Sequence, residues 1–110
     1  MKAKVRRRYL ALKIDSREKI GQKEFMDVVW EAVLRLYGEY GASKTNLALI
    51  EYDAEQGAAI IRVAHTELDH VRAAIATITE IAAKPAAVHI LTVSGTIKKL
   101  RKKFGYAFKP

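Results

Sequence analysis

Hydrophobic and polar positions divide the chain into segments that repeat every two residues and segments that repeat every three or four. Near the N-terminus, Leu10, Leu12 and Ile14 occupy alternate positions, the period of a strand that buries one face. Between Gly21 and Gly41, apolar side chains recur at the spacing of one helix face, with charged side chains mostly opposite. The pattern therefore predicts a strand and then a long amphipathic helix that ends near the second of these glycines.

The middle of the chain predicts a β-hairpin and a second helix. Residues 47–52 and 58–65 are apolar runs separated by a polar turn, an arrangement typical of paired strands. Thr66 is the predicted start of the helix, because its hydroxyl can cap a free amide while Asp69 reaches back. The apolar stripe of this helix consists of Leu68, Val71, Ile75, Ile78 and Ala82.

The last part of the chain predicts a buried strand and a basic helix. Pro85 ends the second helix, and residues 86–93 are mostly apolar, as in a strand that is covered on both faces. Residues 94–96 are expected to form a turn and a helix cap. Residues 97–104 then form a short amphipathic helix whose polar face is basic.

The order strand, helix, strand, strand, helix, strand favours one α+β architecture. Short connections and right-handed crossovers arrange it as a ferredoxin-like βαββαβ fold, a four-stranded antiparallel sheet with both helices on one face. The short basic helix follows this unit. Because the sequence has no repeats, low-complexity stretches or flexible linkers, we expect a single domain over residues 1–110.

The sheet face opposite the two helices carries apolar side chains in this arrangement. Alternation places there some of Ile60, Ala64, Val88 and Ile90. Such a patch marks either a protein partner or a covering element such as the terminal helix, and the sequence leaves both open. Arg62 is predicted on the same open face, where it would meet a phosphate, an acidic partner or only solvent.

Composition narrows the class of protein and its compartment. Half of the residues are apolar and there is no cysteine, which excludes a disulfide framework, a thiolate metal site and a cysteine nucleophile. The lack of cysteine also fits a reducing compartment. No segment approaches the ~20 apolar residues of a membrane span, and no secretory signal follows the basic start. We therefore expect a soluble, cytoplasmic protein without a membrane partner.

Charge is unevenly distributed along the chain. The formal net charge is +8, yet residues 9–97 contain all 12 acidic residues and fewer basic ones. Both ends are purely basic, and a concentrated positive field favours a polyanionic partner such as RNA or DNA over merely solubilising tails. The predicted contacts are Lys2, Lys4, Arg6, Arg7, Arg8, Lys98, Lys99, Arg101, Lys102 and Lys103, together with Arg62.

No arrangement of residues points to an active site within the chain itself. His65, His70 and His89 lie on different predicted elements and lack metal-ligand spacing. Ser94 has no nucleophile elbow around it, and the sequence contains no phosphate-binding loop. Aromatic residues suited to stacking bases are also scarce on the predicted sheet, so we expect any RNA to be bound through its phosphates and shape.

The chain resembles one known family along nearly its whole length. The segments that carry the resemblance are RRYLALKI at 7–14, GAAIIRV at 57–63 and above all VSGTIKKLRKKF at 93–104, in this order. They are similar to ribonuclease P protein component 2, a small archaeal subunit with a eukaryotic counterpart. The family motif falls on Ser94, Gly95, Thr96, Ile97, Lys98 and Lys99, and Arg101, Lys102 and Lys103 continue its basic helix.

The resemblance implies a subunit of the endonuclease that removes the 5′ leader from precursor transfer RNA. In that enzyme the RNA subunit is the catalyst with its Mg²⁺ ions, so the protein is expected to be inactive alone and to bind no cofactor itself. Its implied role is to bind and stabilise the catalytic domain of the RNA together with protein component 3, in a heterotetramer of two copies of each. Precursor transfer RNA would be met only indirectly.

Other functions remain open on the residues alone. A generic nucleic-acid-binding protein of chromatin or ribosome type would show the same basic ends. An acylphosphatase-type hydrolase would need an anion-binding loop after the first strand, where Arg17 and Lys19 occur without a glycine-rich cradle. A regulatory ligand-binding domain on the same fold is disfavoured by the basic ends.

Overall fold

Five strands and three helices make up the described part of the chain. A computed structural model describes the backbone of residues 6–104 and the side chains of residues 6–102. In chain order the elements are β1 (Arg7–Ser16), α1 (Gln22–Ser43), β2 (Ala48–Asp53), β3 (Ala58–Ala64), α2 (Leu68–Ala76), β4 (Glu80–Ile81), β5 (Lys84–Ser94) and α3 (Ile97–Phe104). The strands form one sheet in the order β2-β3-β1-β5-β4, and every pairing is antiparallel. The predicted ferredoxin-like α+β fold is confirmed, with one strand more than expected.

Alternation along the central strands separates two faces of the sheet. Leu10 and Leu12 of β1 pack with Ile61 of β3 into the main core, which α1 and α2 cover. Ala11 and Ile60 point to the other face, where they pack against α3. The sheet is therefore covered by α1 and α2 on one side and by α3 on the other.

The second helix is shorter than predicted, and residues predicted near its end form the additional strand β4 instead. The helix ends at Ala76, where the Thr77 hydroxyl donates a 2.7 Å hydrogen bond to the Ala74 carbonyl. A side chain that bonds to the backbone in this way competes with continued helix. Ile81 then pairs with Lys84 in a hairpin, so the predicted extension of the helix to Ala82 is wrong.

The start of α2 also differs from the prediction. Residues 65–67 form a single 3-10 turn, and α2 begins at Leu68. Among the described residues, no side chain caps the first residue of the 3-10 turn or of α2 with a hydrogen bond. The capping role predicted for Thr66 is therefore wrong. The carboxylate of Glu67 lies 2.9 Å from Nδ1 of His70 instead, and this contact joins the turn to the helix.

The long helix ends at Ser43, close to its predicted end near Gly41. Gly38 interrupts it with φ 72° and ψ 178°, after which one more turn runs to Ser43. Positive φ is readily adopted only by glycine, so the helix changes direction here without strain. Thr45 is fully buried just beyond this turn, and its carbonyl accepts the Ala64 N–H at 2.7 Å. The extra turn thus ties the end of α1 to the end of β3.

The β4–β5 hairpin holds two alanines in an unfavourable conformation. Ala82 and Ala83 form a two-residue loop with φ 53° and 67°, as in a type I′ turn that normally carries Asn-Gly.

We expect Ala83→Gly to raise the free energy of unfolding by about 0.5–1 kcal/mol, because glycine avoids the Cβ clash of the left-handed region. Urea unfolding measures the change. Ala73→Gly on the exposed face of α2 is the control and should lose about 1 kcal/mol; equal losses in both variants would contradict a strained turn.

Candidate nucleic-acid interface

The segment from Ser94 to Lys99 builds the start of α3 from its own side chains. The Ser94 hydroxyl, largely buried, accepts the Thr96 N–H at 3.3 Å. The Thr96 hydroxyl in turn accepts the Lys99 N–H at 3.1 Å, the geometry of a helix N-cap. The predicted turn and cap are confirmed. Two successive hydroxyls therefore set where α3 begins.

One apolar side chain anchors α3 on the sheet. Leu100 is fully buried against Ala11 and Ile60, and Tyr9 and Ile50 pack at the margin of this small cluster. Of the two readings left open for the apolar patch, the structure shows the terminal helix as its cover. Two residues assigned to the patch lie elsewhere: Val88 belongs to the core under α1 and α2, and Ile90 packs against that core.

The reason for this reassignment is a β-bulge in β5. Ala11 of β1 pairs with Thr92, whereas the next residue, Leu12, pairs with Ile90, so one residue of β5 has no partner in β1. Since side chains alternate with period two, the extra residue reverses which face each later position occupies. The predicted alternation did not include this reversal.

The basic side chains of α3 point away from its buried anchor. Lys98, Lys99, Arg101 and Lys102 are all exposed. Lys98 and Lys102 are one turn apart, and both lie on the helix side opposite Leu100. Arg101 sits on the flank and forms an ion pair with Glu51 of β2.

The arginines at the start of β1 lie beside the start of α3. Tyr9 pairs with Ser94, which brings the two segments together at one end of the sheet. Arg8 is half-buried; its Nη1 donates a 3.1 Å hydrogen bond to the Arg7 carbonyl and lies close to Gly95. Arg6 and Arg7 are exposed at the same end. The tertiary structure therefore gathers cations from both ends of the described chain into one region.

Arg62 lies on the α3 side of the sheet, as predicted. It pairs with Tyr9 of β1 and Ala48 of β2, and it is half-buried. Its Nε is buried and has no hydrogen-bond partner among the described residues. Tyr9 itself packs against the Leu100 cluster, so its ring is not free as a platform for a base.

The remaining predicted contacts can be placed only in part. Lys2 and Lys4 lie outside the described residues, and of Lys103 only the backbone position in α3 is described. Within residues 6–104, the structure shows no helix that is long and apolar enough to cross a membrane and no cluster of His, Asp and Glu side chains that could hold a metal ion.

The opposite side of the molecule has an acidic cleft. A cleft of about 400 Å³ lies between α1 and the segment that joins α2 to β4, and Glu24, Asp27, Glu31 and Glu80 contribute to its walls. Tyr52 also faces this side: its hydroxyl donates to the Ile20 carbonyl, and burial together with the Glu24 carboxylate raises the pKa of its phenol. The acidic residues of this cleft disfavour a polyanion there.

Glu51 lies beside α3 although the sequence did not single it out. Regular alternation from Leu49 would place Glu51 in the main core, which a carboxylate avoids. The structure has a bulge in β2 between these two residues, so Ile50 and Glu51 both serve the α3 side. An acidic residue at a predicted core position is the signal that could have revealed the bulge.

Comparison with known proteins agrees with the resemblance read from the sequence. The profile of the Rpp14/Pop5 family matches residues 8–105. Ribonuclease P protein component 2 of Methanocaldococcus jannaschii is 38% identical over 105 residues, which cover 96% of this chain and 77% of that protein. The protein of the same name from Pyrococcus abyssi is 36% identical over 97 residues, 88% of this chain and 82% of the relative.

A solved structure shows the same fold. A chain in the cryo-EM structure of yeast Ribonuclease MRP superposes with a TM-score of 0.69 over 96% of both chains, at 22% sequence identity. The family profile extends from β1 through α3, and so includes the capped helix start and the basic helix described above. On this profile and on relatives of more than 30% identity, the chain belongs to the Rpp14/Pop5 family.

Proposed function

We propose that this chain is a protein subunit of ribonuclease P that binds the catalytic RNA with the α3 side of its sheet. Membership of the Rpp14/Pop5 family and the names of its archaeal relatives support the assignment to this enzyme. The observation that carries the RNA-binding face is the exposed set Lys98, Lys99 and Lys102 on a helix capped by its own motif. Lysine side chains of this kind bind phosphates without reading bases.

In this proposal the protein stabilises the RNA and does not perform the reaction. The RNA subunit, with its Mg²⁺ ions, removes the 5′ leader from precursor transfer RNA, and the protein lowers the repulsion between RNA phosphates by placing cations among them. Protein component 3 is the proposed protein partner, in an assembly of two copies of each. The proposed site of action is the cytoplasm.

Reconstitution tests the proposal. The ribonuclease P RNA from the source organism, its component 3 and this chain are combined at a moderate Mg²⁺ concentration with precursor transfer RNA as substrate. We expect leader cleavage to rise at least severalfold when this chain is added to the RNA and component 3. Heat-denatured protein is the control. No gain in cleavage over RNA with component 3 alone would overturn the proposal.

The generic nucleic-acid binder is the second candidate, because phosphate contacts alone do not distinguish RNA from DNA. Competition separates the two. Unlabelled ribonuclease P RNA should displace labelled ribonuclease P RNA from the protein at a much lower concentration than duplex DNA or an unrelated structured RNA of equal length does. The acylphosphatase-type hydrolase has less support. Such an enzyme would bind its anion in the loop after β1, and Lys19 of that loop forms an ion pair with Glu55.

A further inference from the structure

The attachment of α3 to the sheet is narrow. Among the side chains that the structure describes, Leu100 is the only one of α3 that is fully buried, Ile97 is half-buried, and the lysines are exposed. An eight-residue helix has little stability of its own, and Leu100 is one point of contact about which it can pivot. A second contact is needed to set the direction of the helix across the sheet.

Glu51 and Arg101 provide that second contact. The bulge in β2 puts Glu51 opposite Ile60, directly beside the position where Leu100 packs. The carboxylate accepts from the Arg101 guanidinium, and its side chain is only 26% exposed. Bulges commonly redirect a side chain, and here the redirected side chain is the acid that meets α3.

The presence of this acid is otherwise unfavourable. A carboxylate within a surface that binds a polyanion repels the ligand, and its Coulomb effect alone would weaken RNA binding. The bound guanidinium of Arg101 is also less available to a phosphate than the side chains of Lys98 and Lys102, which lie on the outer side of the helix. Both features make sense if the ion pair serves orientation and not RNA contact.

We infer that Arg101 is a positioning residue whose ion pair with Glu51 fixes the direction of α3, so that Lys98 and Lys102 meet the phosphates of the RNA. The inference rests on the proposed function and changes the role that the sequence assigned to Arg101. It also assigns a role in RNA binding to Glu51, an acidic residue on a different strand.

The first test removes the acid and compares the result with a matched control. Affinity of each variant for ribonuclease P RNA is measured at several salt concentrations. Glu51→Gln is expected to bind about threefold to fivefold more weakly, the effect of losing a partly exposed ion pair. Glu31→Gln removes the same charge from α1 on the opposite side and should bind equally or slightly more tightly. Equal or tighter binding by Glu51→Gln would overturn the inference, because charge alone would then explain the result.

A charge swap provides the second test. Arg101→Glu alone should bind much more weakly than the wild type. Combining it with Glu51→Arg restores the ion pair in the reverse direction at unchanged net charge, and should recover affinity to within about twofold and the wild-type salt dependence. If Arg101 contacts a phosphate itself, the swapped variant will bind as weakly as Arg101→Glu, and the inference is wrong.

The wild-type protein separates this inference from the proposed function. If the wild type shows no salt-dependent binding to the RNA, the proposed function fails. If the wild type binds the RNA and the charge swap does not restore affinity, only the positioning role fails. Thermal unfolding of each variant, together with NMR contacts between Leu100 and Ile60, confirms that fold and anchor are retained.

Discussion

Replacing Lys98, Lys99 and Lys102 together with alanine should weaken binding of ribonuclease P RNA by on the order of tenfold or more at physiological salt. These three side chains are exposed on α3, and Arg101 is left unchanged because it is held by Glu51. Each phosphate contact that is lost should lower the slope of log affinity against log salt by roughly 0.7–0.9. Filter binding or fluorescence anisotropy across a salt series measures both quantities.

The control for this variant changes the same charge elsewhere. Lys19, Lys23 and Lys44 are exposed on or next to α1, on the other side of the sheet. Replacing these three with alanine should alter the salt slope far less, because only the long-range field is reduced. Equal effects of the two triple variants would show that net charge, and not the face formed by α3, governs binding.

Phe25→Ala should lower the free energy of unfolding by about 3–5 kcal/mol and the melting temperature by roughly 15 °C or more. Phe25 is completely buried between α1 and the sheet, and its ring centroid lies 5.4 Å from that of Tyr52. Truncation leaves a cavity that the rigid sheet cannot close. For a small domain this loss is a large fraction of the total stability.

Thermal and urea unfolding measure the effect of Phe25→Ala. Tyr40→Ala is the matched control, since Tyr40 is an aromatic residue of the same helix that is 76% exposed. Its ring contacts little besides Lys44, whose Nζ lies 4.3 Å from the ring centroid, so the expected loss is below about 1 kcal/mol. Similar losses in both variants would mean that α1 packs differently from the structure.

Periodicity predicted the elements of the sheet core well. The alternation of Leu10, Leu12 and Ile14 and the hairpin of β2 and β3 agree with the structure, because both patterns result from burial on one face of a strand. The motif from Ser94 to Thr96 was also readable, because a hydroxyl cap acts over three residues of local sequence.

Local patterns failed where distant segments compete for the same residues. Ile78 and Ala82 fit the stripe of a helix, but the pairing of Ile81 with Lys84 of β5 places Ala82 in the turn of a hairpin. The two bulges, in β2 and β5, depend on how a strand accommodates its neighbour. The bulge in β5 has no signature in the sequence of its own strand, whereas an acidic residue at a predicted core position, Glu51, signals the bulge in β2.

Short-range spacing and charge along the chain are enough to predict the class of fold, the purely basic ends and the capped basic helix. Contacts between distant segments establish which cations lie together and which one forms an ion pair with an acid. The pairing of Tyr9 with Ser94 brings Arg8 beside α3, and the bulge in β2 brings Glu51 to Arg101. Such contacts join residues that are far apart in the chain. One extra residue in a strand also moves the following side chains to the opposite face of the sheet. The neighbours of these residues therefore depend on the tertiary structure and cannot be read from local sequence.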